Sequence, residues 1–205
     1  MIKILLVRHG ETEWNKVEKM QGWGDSPLSE LGRNQAQWLN ERLNEIKIDK
    51  IYSSPTGRAY ETSRIIRGNR DIEIIKHNDL REINVGKWEG LDKCIVESDY
   101  KEQNYNFWNE PHKYKATHGG EDFFEVRERV CNFINNIIED KNNEDKTILL
   151  VSHAITIKSF LCKLEGYEIE DFWREPLIGQ TSLTEIDFSN DGYNMIIKGD
   201  ISHYK

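Results

Sequence analysis

Lys3-Ile4-Leu5-Leu6-Val7-Arg8-His9-Gly10-Glu11-Thr12-Glu13-Trp14-Asn15 passes from a continuous apolar run straight into charged and polar residues. A short aliphatic and β-branched run of this kind is the pattern of a strand buried on both faces. A second run, Thr147-Ile148-Leu149-Leu150-Val151, also ends in a histidine, as Ser152-His153. Outward from these two, strands are expected at Lys3–Arg8, Lys50–Ser53, Glu73–Lys76, Thr147–Ser152, Ser182–Phe188 and Met195–Lys198. Helical patterns fall between them at Ser29–Glu45, Gly57–Arg67, Glu121–Asp140 and Ala154–Glu165. In the first, Leu31, Gln35, Leu39 and Leu43 share a face behind a Ser29 N-cap; in the third, Phe124, Val130, Phe133, Ile134 and Ile137 form one stripe. The alternation predicts an α/β fold, a three-layer α/β/α sandwich around a mostly parallel central sheet. Asp191-Gly192 is a hairpin-turn candidate between the last two strands.

The 205 residues fit one domain, 1–205, with a polar, aromatic-rich and poorly periodic insertion at about 91–118 (Leu91–His118) lying over the active site. Hydrophobic residues make up 37% and charged residues 31%, which excludes both a disordered acidic chain and an integral membrane protein. The longest apolar runs are far shorter than the roughly 20 residues of a membrane span. The N-terminus lacks a small-residue cleavage site. Three cysteines without CxxC spacing suggest neither a disulfide framework nor a cysteine zinc site, so the expected compartment is cytoplasmic. A net charge of −8 argues against nucleic-acid and membrane partners, and any anionic ligand must be captured by a local cationic pocket.

Four segments carry chemistry. In open α/β sheets ligands bind at the carboxyl ends of strands, where Arg8 and His9 arrive; the arginine offers a planar fork for phosphate oxygens and a neutral histidine offers a nucleophilic nitrogen. His153 reaches the same edge. Arg58, early in the helix that follows Ile51-Tyr52-Ser53-Ser54-Pro55-Thr56-Gly57, supplies a second clamp where exposed N–H groups already favour anions. Glu82, in Leu80-Arg81-Glu82-Ile83-Asn84-Val85-Gly86-Lys87-Trp88-Glu89-Gly90, is a carboxyl that partial desolvation can keep protonated. His77, His112, His118 and His203 have no such context and read as surface or structural residues. Arg33, Arg42, Arg64 and Arg67 read as solvated helix faces with i,i+4 partners. Trp23, Trp88, Trp108 and Trp173 could equally line a pocket or anchor packing.

Together, in this order, the four segments resemble the histidine phosphatase superfamily, also called the phosphoglycerate mutase-like family, whose hallmark is the Arg-His-Gly of Arg8-His9-Gly10. The resemblance implies that His9 is phosphorylated, that Arg8, Arg58 and His153 hold the phosphoryl oxygens, and that Glu82 donates the proton. It implies binding roles for Asn15, Gln21 and Gly22. His153 is expected to act as a charged donor. No metal and no cofactor are implied, because fixed cations supply the charge stabilisation. Ala154, also a substrate-contacting candidate through its backbone N–H, stands where many relatives carry glycine, which is harmless unless that position needs positive φ. Gly119-Gly120-Glu121-Asp122 departs from the family's Gly-Gly-Glu-Ser at Asp122 and is read as a structural helix start.

The expected activity is metal-independent hydrolysis of a small phosphomonoester, of the α-ribazole 5′-phosphate, sugar phosphate or phosphoglycerate class. A cofactor-dependent phosphoglycerate mutase and a catalytically silent phosphate-binding module are the alternatives. Against the mutase, the chain has no Arg-Arg pair and its insertion has no arginine; Glu82-Ile83-Asn84-Val85-Gly86-Lys87-Trp88-Glu89-Gly90 and Gln21-Gly22-Trp23 both resemble phosphatase forms. Against the silent module, both His9 and Glu82 are present. The partner is a small-molecule phosphomonoester, with a homodimer left open.

Overall fold

The computed structural model describes residues 1–117 and 119–205; the expectation for His118 lies outside them. In chain order the elements are β1 (Ile2–Arg8), α1 (Glu13–Lys16), α2 (Glu30–Arg42), β2 (Lys50–Ser53), α3 (Gly57–Arg67), β3 (Ile74–Lys76), α4 (Lys93–Asp99), α5 (Lys101–Asn109), α6 (Phe123–Glu139), β4 (Thr147–Ser152), α7 (Ala154–Leu164), β5 (Leu183–Ser189) and β6 (Gly192–Asp200). The strands form one sheet in the order β3-β2-β4-β1-β5-β6. The pairs β3–β2, β2–β4 and β4–β1 are parallel, whereas β1–β5 and β5–β6 are antiparallel. The mostly parallel three-layer sandwich expected from the sequence is therefore the observed architecture.

Strand alternation explains the layers. On β1 and β4, Ile4, Leu6, Ile148 and Leu150 pack with Val130, Phe133, Ile134 and Ile137 of α6 and with Ile157, Phe160 and Leu161 of α7. Their neighbours Leu5, Val7, Leu149 and Val151 point the other way, onto Leu39 of α2 and Ala59 and Ile66 of α3. Successive side chains leave opposite faces, so one uninterrupted apolar run serves both layers. β1 and β4 run side by side with Arg8 opposite Ser152, and the His9 N–H donates to the Ser152 carbonyl at 3.0 Å. Both strand-end histidines thus emerge at one edge.

Several sequence expectations are corrected. Leu31 is 44% exposed and Phe124 is 43% exposed; the expected Gln35, Leu39 and Leu43 are buried and are joined by Gly32 and Ala36 on α2, and the expected Val130, Phe133, Ile134 and Ile137 are joined by Phe123 and Val126 at the start of α6. The hairpin turn is Asn190-Asp191, because Gly192 already pairs with Ser189. Arg33 and Arg42 find partners across the fold, in Glu61 and Asp200, and not along their own helix. Gly32 abuts the backbone of Glu11, and Gly10 abuts Gly32, so closely that a Cβ on either would collide with backbone; this is how α2 docks beneath the end of β1.

The segment read as an aperiodic insertion contains α4 and α5. Each is too short for a helical stripe to show, and they are held by a third apolar cluster in which Trp88, Val96, Phe107, Tyr114, Phe123 and Phe172 are almost wholly buried. Among the described residues no helix is long and apolar enough to cross a membrane.

Candidate active site

His9 follows β1 directly and is 4% exposed. Its Nδ1 lies 2.7 Å from the carbonyl oxygen of Gly10, an acceptor that requires the ring proton to sit on Nδ1. Nε2 is left with a free lone pair. Burial, together with the positive charges of Arg58 and Arg8, drives the His9 pKa well below 6.5, so the ring is neutral at physiological pH.

His153, the residue before α7, is fully buried, with its ring centroid 5.1 Å from that of His9. Its Nδ1 accepts from Arg58 Nη2 at 3.1 Å, which places the proton on Nε2, and Nε2 donates to Ser54 Oγ at 2.8 Å. Burial and the Arg58 charge hold its pKa well below 6.5. The expected charged donor is therefore a neutral imidazole in the unliganded protein, because its neighbours are already cationic and no carboxylate faces it.

Arg58, 1% exposed, sits in the first turn of α3. It donates to the carbonyls of Gly24 at 2.7 Å and Gly22 at 2.6 Å and to Asp25 Oδ1 at 3.1 Å. Asp25 in turn accepts from the backbone N–H of Gly57 at 2.5 Å and Arg58 at 3.3 Å, capping α3 from another loop. Glu89 gathers the opposite side of the turn, accepting from the N–H groups of Gly22, Trp23 and Gly24 at 2.7–3.1 Å. Gly22 fits here because a Cβ would strike the Ile83 carbonyl and the Glu89 carboxylate. Its N–H is thus consumed by Glu89.

Glu82 is 6% exposed and lies against the start of α7. Oε1 accepts from the N–H of Ile83 at 3.0 Å and from both the N–H and the hydroxyl of Thr156 at 3.2 Å. Oε2 accepts from the Ile155 N–H at 3.1 Å, which leaves it a lone pair for proton exchange. Ala154 opens the helix in ordinary geometry; among the described non-glycine residues only Glu18, Asp145 and Thr181 have positive φ.

A cavity of about 380 Å³ has Arg8, His9, Asn15, Gln21, Glu82 and Ala154 on its lining. Arg58, His153 and Gly22 are not on its wall; Arg58 holds the turn that contains Gly22, and the His153 ring packs edge-on against that of His9. Three donor nitrogens of the site are buried without an acceptor among the described residues: Arg8 Nε, Arg58 Nε and Gln21 Nε2. Unpaired buried donors are costly, and an oxyanion in the cavity would lie on the side of Arg8 and Gln21, the two of these residues that line it. The lining also includes Phe107, Trp108 and Trp173, together with Lys19 and Lys93. Trp88, by contrast, is core, and Trp23 donates its indole N–H to the Glu82 carbonyl at 3.0 Å. Sequence reasoning missed Asp25, Glu89, Ser54 and Thr156. Only Glu89 carried a signal, the Trp-Glu-Gly after Glu82.

A mostly parallel α/β sandwich with paired strand-end histidines among buried arginines is an arrangement suited to phosphate. The chain belongs to the histidine phosphatase superfamily (branch 1), whose model matches residues 4–200, and it is a phosphatase. It is 37% identical over 173 residues to phosphoserine phosphatase 1 of Hydrogenobacter thermophilus, covering 84% of this chain and 81% of that one. Among solved structures, YhfR of Bacillus stearothermophilus superposes with a TM-score of 0.93 at 36% identity over 98% of each chain. The Entamoeba histolytica phosphoserine phosphatase in complex with 3-phosphoglyceric acid gives 0.85 at 29% identity over 99% of each.

Proposed function

We propose that the protein hydrolyses small phosphomonoesters by two in-line displacements through a phosphorylated His9. The observation that carries this reading is a neutral histidine, its proton pinned at Nδ1, sharing a cavity with Arg8 and Gln21, each of which has a buried donor nitrogen without an acceptor among the described residues. His9 Nε2 attacks phosphorus and forms the P–N bond while the P–O ester bond breaks. The departing alkoxide takes a proton from Glu82 Oε2, since such leaving groups depart poorly unprotonated. Water, losing a proton to Glu82, then attacks the phosphohistidine, cleaving the P–N bond and releasing inorganic phosphate.

Arg8 and Gln21 offer their free N–H groups to the phosphoryl oxygens, as electrostatic stabilisation of this reaction requires, and Arg58 adds its positive charge from outside the cavity lining. Asn15 contributes from the cavity wall, and Ala154 contributes a helix-terminal N–H. His153, with both ring nitrogens engaged by Arg58 and Ser54, acts by orienting His9 through the contact of their rings. Gly22 acts through Arg58 by offering its carbonyl.

For the leaving group, we favour a carboxylate-bearing one of phosphoserine or phosphoglycerate size over α-ribazole or sugar. Lys19 and Lys93 line the cavity, and each meets its nearest carboxylate only at 4.0 Å, which leaves both ammonium groups free for a second anion. The named phosphoserine phosphatases are consistent with this. Arg8 is the sole arginine among the described lining residues, which supports hydrolysis over return of the phosphoryl group.

With p-nitrophenyl phosphate, His9→Ala is expected to lower kcat by at least about 10³-fold with the melting curve retained; undiminished turnover overturns the mechanism. Incubation with 3-phosphoglycerate and 2,3-bisphosphoglycerate is expected to release inorganic phosphate, and 2-phosphoglycerate as the main product would instead establish the mutase. A panel of phosphoserine, phosphoglycerate, sugar phosphates and α-ribazole 5′-phosphate then decides the leaving group.

A further inference from the structure

Arg129, in the second turn of α6, spends its whole guanidinium on one loop. Nη1 donates to the carbonyls of Asp79 at 2.7 Å and Arg81 at 2.8 Å, and Nη2 to the carbonyl of Glu82 at 3.0 Å. Nε and Nη2 also form a two-pronged pair with the Glu121 carboxylate at 2.8 and 3.0 Å. Glu121 continues the clasp, since Oε2 accepts from the Asn84 N–H at 2.9 Å and its own N–H donates to the Asn84 carbonyl at 2.8 Å. The backbone is therefore gripped on both sides of Glu82, by a pair whose side chains are only 16% and 18% exposed.

Helix packing alone does not call for this arrangement. A partly buried charge pair contributes little net stability, and replacement by apolar residues is often neutral. Position is what the pair supplies: a planar fork with five N–H groups fixes three carbonyls and a carboxylate in one plane, which a flexible ammonium cannot do. We infer that Arg129 and Glu121 are positioning residues for Glu82, holding its carboxyl against α7 so that the proton on Oε2 is delivered at the right point in the cavity. The inference rests on the reading of Glu82 as proton donor.

The experiment compares an alkyl phosphate with p-nitrophenyl phosphate, whose leaving group needs little protonation, in Arg129→Lys, Glu121→Gln, Glu82→Gln and Glu82→Gln/Arg129→Lys, each checked for a native melting curve. For Arg129→Lys we expect kcat on the alkyl phosphate to fall about 10–100-fold while kcat on p-nitrophenyl phosphate changes less than about threefold, with KM steady for both. Glu82→Gln shows the same split more strongly, and adding Arg129→Lys to it produces no further split. Equal losses on both substrates in Arg129→Lys, with the Glu82→Gln split intact, overturn the positioning role. If Glu82→Gln itself shows no split, it is the proton-donor reading that fails. Should Arg129→Lys not fold, Glu121→Gln carries the same test: a split supports the role and uniform loss overturns it.

Discussion

His9 and His153 are unusual in being kept neutral by burial and by cations at once, and the two causes act in the same direction. A nucleophile held this way stays competent in acid, because protonation of Nε2 must overcome both the missing solvation and the Arg58 and Arg8 charges. The acid limb of kcat/KM should therefore fall below the ordinary histidine range. Between pH 6.5 and 5.5 the rate should stay within about twofold, after correction for the substrate phosphate, whose second pKa is near 6. A limb centred near 6.5 would cost about fivefold over the same interval, and finding it would show that His9 titrates as if solvated. At this scale the sequence was most legible: a histidine or arginine at a strand end announces itself. Ser54 and Asp25 did not. A serine that takes one ring proton, or an aspartate that caps a helix from 32 positions away, has no local pattern, and only the fold makes its partner adjacent.

Elements place the machinery through their ends. The first turn of α3 presents Arg58, the first turn of α7 receives Glu82, and the turn at Gly22–Asp25 is suspended between Arg58 on one side and Glu89 on the other. Glu89 accepts from three backbone N–H groups, so replacing one of its oxygens by an amide turns a donor toward donors. Glu89→Gln is expected to lower stability by about 1–3 kcal/mol in urea unfolding and kcat/KM by about 10–100-fold, through misplacement of Arg58. Wild-type kcat/KM in a folded Glu89→Gln would show that the turn needs no such tether. Legibility varied among elements for a physical reason. The buried strands and long helices advertise one continuous or periodic apolar pattern, whereas α5 is held by aromatic contacts of Phe107 with distant Trp88, Phe123 and Trp173, and α4 by Val96 in the same cluster. A seven-residue and a nine-residue helix do not hold enough turns for a stripe to stand out.

Over the whole molecule, the same buried histidines set the acid limit of the fold. Thr181 offers its N–H to the His9 carbonyl, and its hydroxyl lies 3.1 Å from Nε2 of His203, which is 9% exposed and whose pKa is lowered to about 4, chiefly by burial and then by Arg42. His9, His153 and His203 thus share one sign. Each has a folded pKa below its unfolded value of 6.5, so between those two values the unfolded chain binds a proton that the folded chain refuses. Their contribution is complete above pH 6.5 and is lost as pH falls through the window below it. Each histidine contributes a slope of up to about 1.4 kcal/mol per pH unit, which for all three approaches about 4 kcal/mol per unit against a typical total of 5–15 kcal/mol. Urea midpoints should therefore fall steeply from pH 7 to pH 5, and His203→Gln, outside the catalytic set, should reduce that slope by up to about one third. A midpoint flat across this range would mean that the three rings are protonated in the fold, and the neutral nucleophile would fall with it. Because unfolding and loss of nucleophile share this cause, rates below pH 5.5 must be read on protein shown to be folded at that pH, and a rate lost there while the fold persists would isolate the titration of His9 itself.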